Sequence, residues 1–395
     1  MNIDKYTLKV KKLIDKYILD KILSDTLVVP YLSFWAGFVL RIRKPLIVGI
    51  TGSVGKTTTK EMIAAVLKHE GAAPIVGFAG STPKNMNDDM GVPLTVLQYD
   101  DWLKGPNSRK FVTMCLVPYR ALSLAFRWKY PKILVIEYGT HWKGHLHRIA
   151  KFVPPHIAVV TTIGPAHLER LKTIEGVVWE KSAVVRAAPP SGLVILGQDH
   201  NYVQQLEQMA RAPVVKVTGR GTDLSQNIAR VVCQHLGIPE EVITSALQSF
   251  QLPQRRLNRV EFADLTVIDD TYNANPLSMK FGLETLAETA RNGQRRVAIL
   301  GAMAELGEEG PRYHEEIAAF ARSLADLLIG VGDLARHYSP DYWFDTGDAC
   351  INQIEGLIQP GDCLFIKGSA SSGMRKVADK LLHIAENGLS TKEKT

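Results

Sequence analysis

The chain has 395 residues, of which 46% are hydrophobic and 22% are charged, so it can bury at least two ordinary cores, and two or three domains are expected. Its four cysteines, Cys115, Cys233, Cys350 and Cys363, are widely scattered, which argues against a disulfide framework and predicts buried thiols in a reducing compartment. The formal charge is +7. Because no helix-turn-helix, zinc-finger or aromatic-interleaved basic pattern accompanies that charge, nucleic acid is not expected as a partner.

Residues 1–44 are predicted to form a helical, basic and apolar segment ahead of the first core strand. They begin with MNIDKYTLKVKK, which carries charge where a signal peptide needs an apolar core, so a cytoplasmic protein is expected. The apolar run from Leu27 to Leu40 is shorter than the roughly 20 residues that span a bilayer. Since Arg41, Arg43 and Lys44 follow it, this run could lie on the inner face of a membrane or pack on the protein itself.

Residues 49–59, GITGSVGKTTT, follow an apolar run and precede a stretch with helical periodicity, Thr58 to His69. A strand, a Gly-Lys-Thr loop and a helix in this order are typical of a phosphate-binding loop for ATP or GTP. Its amides and the helix N-terminus would hold phosphate, Lys56 would reach the terminal phosphates, and Thr57 would place a hydroxyl on magnesium. The strict pattern has glycine where this chain has Ile50, so a glycine-rich turn that only caps a helix is the competing interpretation.

Short apolar runs alternate with helical patterns over most of the chain, which predicts an α/β fold of parallel sheets covered by helices. A central P-loop ATP-binding domain is expected over residues 45–252 and a Rossmann-like C-terminal domain over residues 253–395. The boundary lies in FQLPQRRLNR, residues 250–259, because this basic stretch follows a helix and contains proline. The predicted strands are Leu46–Ile50, Ile133–Ile136, Ile157–Thr161, Leu193–Leu196, Val297–Leu300, Leu327–Val331 and Leu364–Ile366.

Candidate catalytic side chains follow these strands. ILVIEYG places Glu137 at the carboxyl end of a strand, where a carboxylate can hold magnesium. TTIGPAHLE delivers His167 and Glu169 on a loop, and EGVVWEKSAVV places Lys181 on a helix. Each residue alone has a structural alternative, because most histidines are satisfied structural residues and most lysines are solvated.

In this order, the blocks TGSVGKTTTKE, STPKNMNDDMGVPLTVL, VIEYG, TTIGPAHLE and EGVVWEKSAVV resemble the Mur ligase family, which joins an amino acid or dipeptide to a carboxylate through an acyl phosphate. The later blocks IDDTYNANPLSM, LGAMAELGEEG and FIKGS are similar to the member that adds D-alanyl-D-alanine. The resemblance implies an ATP-dependent carbon-nitrogen ligase that forms ADP and phosphate in cell-wall assembly. Its expected partners are a muramyl-peptide-like acceptor and a D-alanyl-D-alanine-like amine donor.

The resemblance also implies two magnesium sites and a modified lysine. Thr57 and Glu137 would bind one ion, and His167 would bind the second together with Lys181. Lys181 matches the lysine that the family carbamylates, which turns a cation into an anion. An unmodified ammonium would repel both metal ions.

The nucleotide contacts are carried over residue by residue. Arg256 matches an arginine that reaches the ATP phosphates from the domain junction, and Asn227 matches an asparagine near adenine. The remaining nucleotide-binding residues implied by the resemblance are Gly52, Ser53, Gly55, Lys56, Thr57 and Thr58 in the loop, and Asp270, Asn273 and Asn275 in the C-terminal domain.

Several stretches depart from the family pattern. About 44 residues precede the first core strand, fewer than the UDP-binding domain of longer members needs, so the acceptor is expected without its nucleotide, held by a partner protein, or carried on a lipid. The segment from Leu97 to Lys132 is longer than expected and ends in a basic amphipathic helix predicted over Arg120 to Lys132. Ala302 and Ala370 replace a customary aspartate and arginine, which is consistent with an altered amine-donor pocket or a weaker closed state.

The loop GTHWKGHLHR also differs from the family, because His141, Trp142 and His145 replace residues expected near the substrate. These histidines, with His147, could suggest zinc, but no cysteine or carboxylate nearby in the sequence completes a site. The acceptor therefore stays open between a muramyl peptide and a different lipid-linked or poly-amino-acid carboxylate.

A third hypothesis is a non-catalytic nucleotide-binding subunit or membrane-tethered scaffold. The presence of Lys56, Glu137, His167 and Lys181 argues against it, because a degenerate relative is expected to lose its metal ligands first. A monomer is expected.

Overall fold

The structure is a computed structural model that describes residues 27–83, 86–99, 107–126, 129–140, 142–198, 201–262 and 265–387. For residues 107–113 it describes the backbone only. Within these residues the chain forms two six-stranded sheets, one after the other in sequence. The predicted α/β fold of parallel sheets is confirmed.

The first sheet is wholly parallel, with strand order β2-β3-β1-β4-β5-β6. Its central strands are buried throughout, as expected for a parallel sheet covered on both faces. The strands are β1 (Leu46–Thr51), β2 (Ala79–Ser81), β3 (Ile133–Glu137), β4 (Ile157–Val160), β5 (Leu193–Gly197) and β6 (Val214–Val217).

Eleven helices of the described residues accompany this sheet. They are α1 (Val29–Arg43), α2 (Lys56–Lys68), α3 (Ala73–Val76), α4 (Gly91–Val96), α5 (Asn107–Phe126), α6 (His145–Phe152), α7 (Leu168–Leu171), α8 (Ile174–Ala187), α9 (Val203–Met209), α10 (Gly221–His235) and α11 (Glu240–Gln248).

Pairing of β1 with both β3 and β4 brings three loops to one edge of the sheet. These are the loop after Thr51, the end of β3 at Glu137, and the segment after Val160. Because ligands of parallel α/β sheets bind outside the carboxyl ends of the strands, this edge is the place for a site.

The second sheet has strand order β11-β10-β9-β12-β8-β7, and only its edge strand β7 runs antiparallel. Its strands are β7 (Asn258–Glu261), β8 (Thr266–Asp270), β9 (Arg296–Gly301), β10 (Leu327–Val331), β11 (Tyr342–Phe344) and β12 (Cys363–Lys367). Its helices are α12 (Pro276–Thr289), α13 (Gly310–Leu324), α14 (Gly347–Ile351) and α15 (Met374–Asn387), with short 3-10 turns at Gly307–Glu309, Asp333–Tyr338, Ile354–Gly356 and Ala370–Ser372.

The connection between the sheets runs from the end of α11 at Gln248 to the start of β7 at Asn258. It turns sharply, since Arg255 and Leu257 both adopt positive φ, at 63° and 54°. One cluster of buried apolar side chains includes members from both sides, among them Ile163 and Leu306. The two sheets are therefore packed against each other, and loops of both reach the same space.

The strand predictions are confirmed, because all seven predicted strands are present and each end lies within one residue of its expected position. The pattern missed β8, an internal strand with only a short apolar run before Asp269 and Asp270, and the edge strands β2, β6, β7 and β11. The four edge strands have only three or four residues each, too short for an apolar run to stand out.

Three local expectations are wrong. The basic helix predicted over Arg120 to Lys132 ends at Phe126. Lys132 instead continues the connection to β3, in accord with Pro131, which cannot extend a helix. Glu169 lies inside the short helix α7 rather than on a loop. Cys115 is exposed on α5, whereas Cys233, Cys350 and Cys363 are buried as expected.

The part of the chain that the structure describes contains no helix whose length and apolar character would let it cross a bilayer. The helix that carries most of the run from Leu27 to Leu40 is α1, and it packs against α4 and α5.

Candidate active site

The loop between β1 and α2 is held in place by the segment that follows β4. The amide of Ser53 donates to the carbonyl of Thr162 at 2.8 Å, and the amide of Val54 donates to the Thr162 hydroxyl at 2.9 Å. The Ser53 hydroxyl donates to the carbonyl of Gly164 at 2.9 Å. These bonds fix the loop as a rigid cradle at the start of α2, the position in which backbone amides and a helix N-terminus bind phosphate.

Gly52 is required by close packing in this loop. A Cβ atom at this position would lie 1.9 Å from the hydroxyl oxygen of Thr161, far inside van der Waals contact. Gly55, directly before α2, has φ of +86°, a backbone conformation that side chains other than glycine rarely adopt. The two glycines therefore allow the loop to turn tightly onto β4.

Two lysines converge on the carbonyl oxygen of Gly52. Lys56 Nζ donates to it at 2.7 Å and Lys181 Nζ at 2.9 Å. Burial lowers the pKa of Lys56, and burial together with the charge of Lys56 lowers the pKa of Lys181 well below its ordinary value. The floor of the site is therefore strongly electropositive. Of the two amines, Lys181 has the pKa that is lowered further below that of an ordinary lysine, so it loses its proton more easily.

Oxygen ligands meet beside the loop. The Thr57 hydroxyl donates to Glu137 Oε2 at 2.9 Å, and Asn87 Nδ2 donates to Glu137 Oε1 at 2.9 Å. The backbone amide of Glu137 donates to the Thr82 hydroxyl at 3.0 Å. A hydroxyl and a carboxylate in contact are the hard oxygen donors that magnesium prefers, so these residues fit one magnesium ion.

Within the described ranges, no three His, Cys, Asp or Glu side chains are grouped as a metal site. A magnesium ion held by Thr57 and Glu137 would complete its shell with phosphate and water. Lys181 as an ammonium does not fit a second magnesium, because like charges repel. It would fit only as a carbamate.

His167 connects the two halves of the molecule. It adopts the left-handed conformation at the start of α7, with φ of 57°, and its Nδ1 lies 2.5 Å from Glu305 Oε2. Burial lowers the pKa of His167, and the hydrogen bond with Glu305 opposes that shift. The amide of Glu169 also donates to the carbonyl of Glu305 at 3.0 Å. The loop after β9 is thereby docked on the end of β4.

Arg256 and Asn275 reach from the second half onto the phosphate-binding loop. Arg256 Nη2 donates to the Thr57 hydroxyl at 2.9 Å, and its guanidinium carbon lies 3.9 Å from the centre of the Tyr272 ring. Asn275 Nδ2 donates to the carbonyl of Ser53 at 3.2 Å. Both side chains therefore touch the loop directly.

Asp270 and Asn273 lie at the carboxyl end of β8. Lys367 forms an ion pair with Asp270 and donates to the carbonyl of Asn273 at 2.8 Å. Burial raises the pKa of Asp270, and the neighbouring Lys367 opposes that shift. Lys367 thus holds the turn that presents both residues to the cavity.

A cavity of about 430 Å³ lies between the two sheets and joins these groups. All predicted site residues line it except Gly52, Glu169 and Asn227. The carbonyl oxygen of Gly52 accepts hydrogen bonds from Lys56 and Lys181, and both of these lysines line the cavity. Asn227 instead donates to the carbonyl of Thr218 at 3.0 Å, so its predicted place beside a nucleotide base stays a prediction.

Sequence reasoning missed four residues at the site: Asn87, Tyr272, Glu305 and Lys367. All four lie in blocks that carried the family resemblance. The sequence signal for these residues was their position, because a polar residue within such a block is a candidate for the site. Their individual contacts depend on how the halves pack, which no local pattern contains.

The loop after β3, where the chain departs from the family, is held by Glu180. Its carboxylate accepts hydrogen bonds from the amides of Gly144 and Leu146, at 2.5 Å and 2.7 Å, and from the Thr140 hydroxyl at 3.1 Å. This buried carboxylate lies at the N-terminus of α6, where negative charge is favourable. His141 lies outside the described residues, so the histidine grouping cannot be placed as a whole.

Trp142 in the same loop lies under the guanidinium of Arg170, whose carbon is 4.1 Å from the ring centre. His147 stacks on Trp179 with ring centres 4.0 Å apart. His145 Nε2 lies 3.6 Å from Asp89 Oδ2. Each of these divergent side chains therefore has its own partner, and the described residues of this loop that line the cavity are Gly139 and Thr140.

Known proteins resemble this chain over most of its length. The family profile for the Mur ligase middle domain matches residues 50–114 and 117–250, and that for the Mur ligase glutamate ligase domain matches residues 255–370. A relative from Synechocystis sp., named UDP-N-acetylmuramoyl-tripeptide–D-alanyl-D-alanine ligase, is 29% identical over 93% of this chain and 81% of its own length.

Two solved structures share the fold. MurF from Acinetobacter baumannii has a TM-score of 0.74 at 23% identity and covers 89% of this chain and 80% of its own. The MurF ligase from Thermotoga maritima in complex with ADP has a TM-score of 0.73 at 22% identity and covers 91% and 84%. The middle-domain profile alone spans half of the sequence, and the phosphate-binding loop, Glu137, His167 and Lys181 all lie within it. The chain belongs to the Mur ligase family.

Proposed function

We propose that this chain is an ATP-dependent amide ligase that adds D-alanyl-D-alanine to the carboxylate of a muramyl peptide. The observation that carries the proposal is the cavity in which the phosphate-binding loop meets Thr57, Glu137 and Lys181 on one side and Arg256 on the other. The two substrates are those for which relatives such as the Synechocystis ligase are named.

ATP would bind across the two halves. The amides of the loop and Lys56 would hold its phosphates, and Arg256 would reach them from the connection between the sheets. The T. maritima neighbour is described in complex with ADP, which supports a nucleotide at this edge. Asp270, Asn273 and Asn275 would contact the nucleotide from the second half.

Magnesium would be held by Thr57 and Glu137, whose oxygens are in contact. When bound, it shields the negative charge of phosphate oxygens as a carboxylate approaches. The protein contributes orientation: Asn87 donates to one carboxylate oxygen of Glu137 and leaves the other directed at Thr57.

Lys181 would be carbamylated. Its neutral amine attacks carbon dioxide, a nitrogen-carbon bond forms, and one proton is released, so the buried cation becomes an anion. The nearly complete burial of Lys181 and its lowered pKa support this step, because both favour the neutral, nucleophilic amine. The carbamate and His167 would then hold a second magnesium.

The reaction would proceed in two displacements. The acceptor carboxylate attacks the γ-phosphorus, the bond to the β-phosphate oxygen breaks, and ADP leaves with an acyl phosphate formed. The amine of the donor then attacks the acyl carbon, loses a proton and expels phosphate, which leaves the amide. Because the cavity walls come from both halves, closure of the halves would exclude water from the acyl phosphate.

The test is product formation. The protein is incubated with ATP, magnesium, bicarbonate, D-alanyl-D-alanine and muramyl tripeptides with and without UDP, and the amide is detected by mass spectrometry alongside phosphate release. We expect one amide per phosphate, and only with both substrates present. Phosphate release that depends on neither acceptor nor amine would overturn the ligase proposal.

A ligase of the same type with a different acceptor is the second candidate. The observation that favours it is the divergent loop, which begins at Gly139 and Thr140 in the cavity wall and continues to Trp142, packed under Arg170. Including lipid-linked and poly-amino-acid carboxylates in the same assay distinguishes the two acceptors. The division at residues 45–252 and 253–395, the monomeric state and the cytoplasmic location stay predictions.

A further inference from the structure

Helices α1 and α5 lie side by side and both present large apolar side chains outward. We call Phe34 of α1 and Leu116, Tyr119, Leu122 and Phe126 of α5 the outer helical face. Phe126 is 72% exposed, Tyr119 71% and Phe34 64%. The four residues of α5 recur at spacings of three or four, which places them along one side of a helix.

The exposed side chains of α5 are not needed to hold the helix in place. Its opposite side buries Val117, Ala121 and Leu124 in the core of the first sheet. The Tyr31 hydroxyl donates to the carbonyl of Met114 at 2.9 Å and so ties the start of α1 to α5. A helix already packed on one side usually carries charge on the other, so the apolar outer helical face calls for a separate explanation.

Charge is missing from this face. Between Met114 and Phe126 the only charged residue is Arg120, and its guanidinium donates to the carbonyls of Leu97 and Gln98 at 3.3 Å and 3.1 Å. Arg120 is therefore directed into the protein. The exposed side of the described turns of α5 is uncharged.

Basic residues gather at the end of the two helices. Arg43 lies with its guanidinium carbon 5.5 Å from the centre of the Tyr130 ring, which places the end of α1 next to the segment that follows α5. Arg41, Lys44 and Lys129 are exposed there. The helices therefore run in the same direction, and their C-terminal ends share one basic rim.

The two sequence segments that contain α1 and α5 have no acidic residue. Residues 27–50 and 107–136 together contain nine lysines and arginines and no aspartate or glutamate. The whole chain has a formal charge of +7, so all other residues together sum to −2. These two segments alone therefore carry a larger net positive charge, +9, than the whole chain does.

We propose that the outer helical face docks the protein on an anionic membrane surface. Aromatic and aliphatic side chains would enter the headgroup region, Tyr119 with its hydroxyl toward water, while Arg41, Lys44 and Lys129 meet acidic headgroups. A neighbouring protein would also accept apolar side chains, but the concentration of positive charge without any acidic residue is complementary to an anionic lipid surface. This inference goes beyond the ligase chemistry and does not depend on it.

Vesicle co-sedimentation of the full chain tests the proposal. We expect binding to vesicles of equal parts phosphatidylglycerol and phosphatidylcholine at low salt, weaker binding at high salt, and little binding to phosphatidylcholine alone. The double variant Tyr119→Ser/Phe126→Ser should lower the partition coefficient about tenfold or more, because two large apolar side chains no longer leave water. Tyr342→Ser, an exposed tyrosine on the edge strand of the second sheet, is the matched control and should bind as the parent does.

A second variant isolates the charge. Arg41→Gln/Lys44→Asn should weaken binding to the anionic vesicles about fivefold for each charge removed. Asparagine suits position 44 because Lys44 has φ of 45°, which asparagine tolerates. Ligase activity on soluble substrates should be unchanged in both variants, since none of these residues lines the cavity. Activity and membrane binding are therefore scored separately.

Three results would overturn the proposal. The first is that the parent chain fails to bind anionic vesicles at low salt. The second is that the variants of the outer helical face bind as well as the Tyr342→Ser control does. The third is a dimer in sedimentation equilibrium that the face variants disperse while no vesicle binding is found, which would assign the outer helical face to a second copy of this chain.

Discussion

Lys181 is the residue on which the proposed chemistry of the site depends most. Its side chain is 1% exposed, and within the described part of the chain its amine donates to the carbonyl oxygen of Gly52. A buried ammonium beside another lysine is costly unless its charge is removed or compensated. The proposed carbamylation would remove that charge and replace it with a metal-binding group.

We predict that Lys181→Ala lowers the rate of ligation about 10–100-fold or more, because the metal site loses a ligand. Added short-chain carboxylates should restore part of the activity, since they can occupy the space of the lost group. The measurement is phosphate release with and without acetate, at matched ionic strength with chloride. Lys216→Ala, at a partly exposed lysine paired with Glu207, is the control.

The thermal midpoint should not fall in Lys181→Ala, because the substitution removes a buried charge rather than a favourable ion pair. A variant as active as the parent would show that the metal assignment of Lys181 is wrong. Loss of activity without any rescue, together with a lowered thermal midpoint, would assign a structural role instead.

At the scale of elements, the N-terminus of α12 combines a structural and a binding contact in one side chain. Asn275 Oδ1 accepts the amide of Ser278 at 2.9 Å, and the Ser278 hydroxyl accepts the amide of Asn275 at 3.0 Å, which completes a capping box. The amide nitrogen of the same side chain reaches Ser53 in the phosphate-binding loop.

We predict that Asn275→Asp separates these two contacts. Aspartate caps a helix as well as asparagine does, but it has no donor for the Ser53 carbonyl and adds negative charge near the phosphates. The KM for ATP should rise in Asn275→Asp while the urea midpoint stays near that of the parent. Asn275→Ala should raise the KM and also lower the free energy of unfolding by about 1 kcal/mol.

Steady-state kinetics and urea denaturation of the three proteins provide the comparison. If Asn275→Asp has the parent's KM for ATP, the contact with Ser53 does not support nucleotide binding. In that case the role of Asn275 is limited to the helix cap.

At the scale of the whole molecule, the site exists only because two sheets meet. Arg256 lies in the connection between them, and it contacts Thr57, 199 residues earlier in the chain. Tyr272, at the end of β8, supports its guanidinium from the other side. Arg256 therefore contacts residues of both halves at once.

We predict that Arg256→Ala lowers kcat/KM for ATP about 10–100-fold, because it removes a hydrogen bond from a charged donor and a positive charge facing the phosphates. Arg256→Lys should recover only part of the loss, since a lysine cannot reproduce the planar guanidinium contact. The measurement is the ATP dependence of phosphate release.

Arg259→Ala is the matched control for this prediction. Arg259 is an exposed arginine three residues further on, where it pairs with Glu261 in β7. Equal effects of the two substitutions would contradict a direct role for Arg256 at the phosphates.

The core strands and the phosphate-binding loop were predictable because their signals are local. A buried parallel strand is an apolar run, and a phosphate-binding loop needs Gly-Lys-Thr at a strand-to-helix junction. The edge strands β2, β6, β7 and β11 were not predictable in the same way, since they are short and their stability comes from pairing with a neighbour. The internal strand β8 was also missed, because its apolar run is cut short by Asp269 and Asp270. The outward face of α5 was also not visible, because an amphipathic pattern does not tell which apolar residues will be buried.

The sequence by itself determined that the chain has α/β sheets, that a phosphate-binding loop follows the first core strand, and that Glu137, His167 and Lys181 belong near it. Those residues follow strands of one sheet whose carboxyl ends must share an edge. Only the tertiary structure decided that Glu305 meets His167 and that Arg256 meets Thr57. Contacts of this kind depend on how two folded sheets pack across a sharply turned connection. The free energy of that packing is distributed over many side chains of both halves, so no single motif contains it.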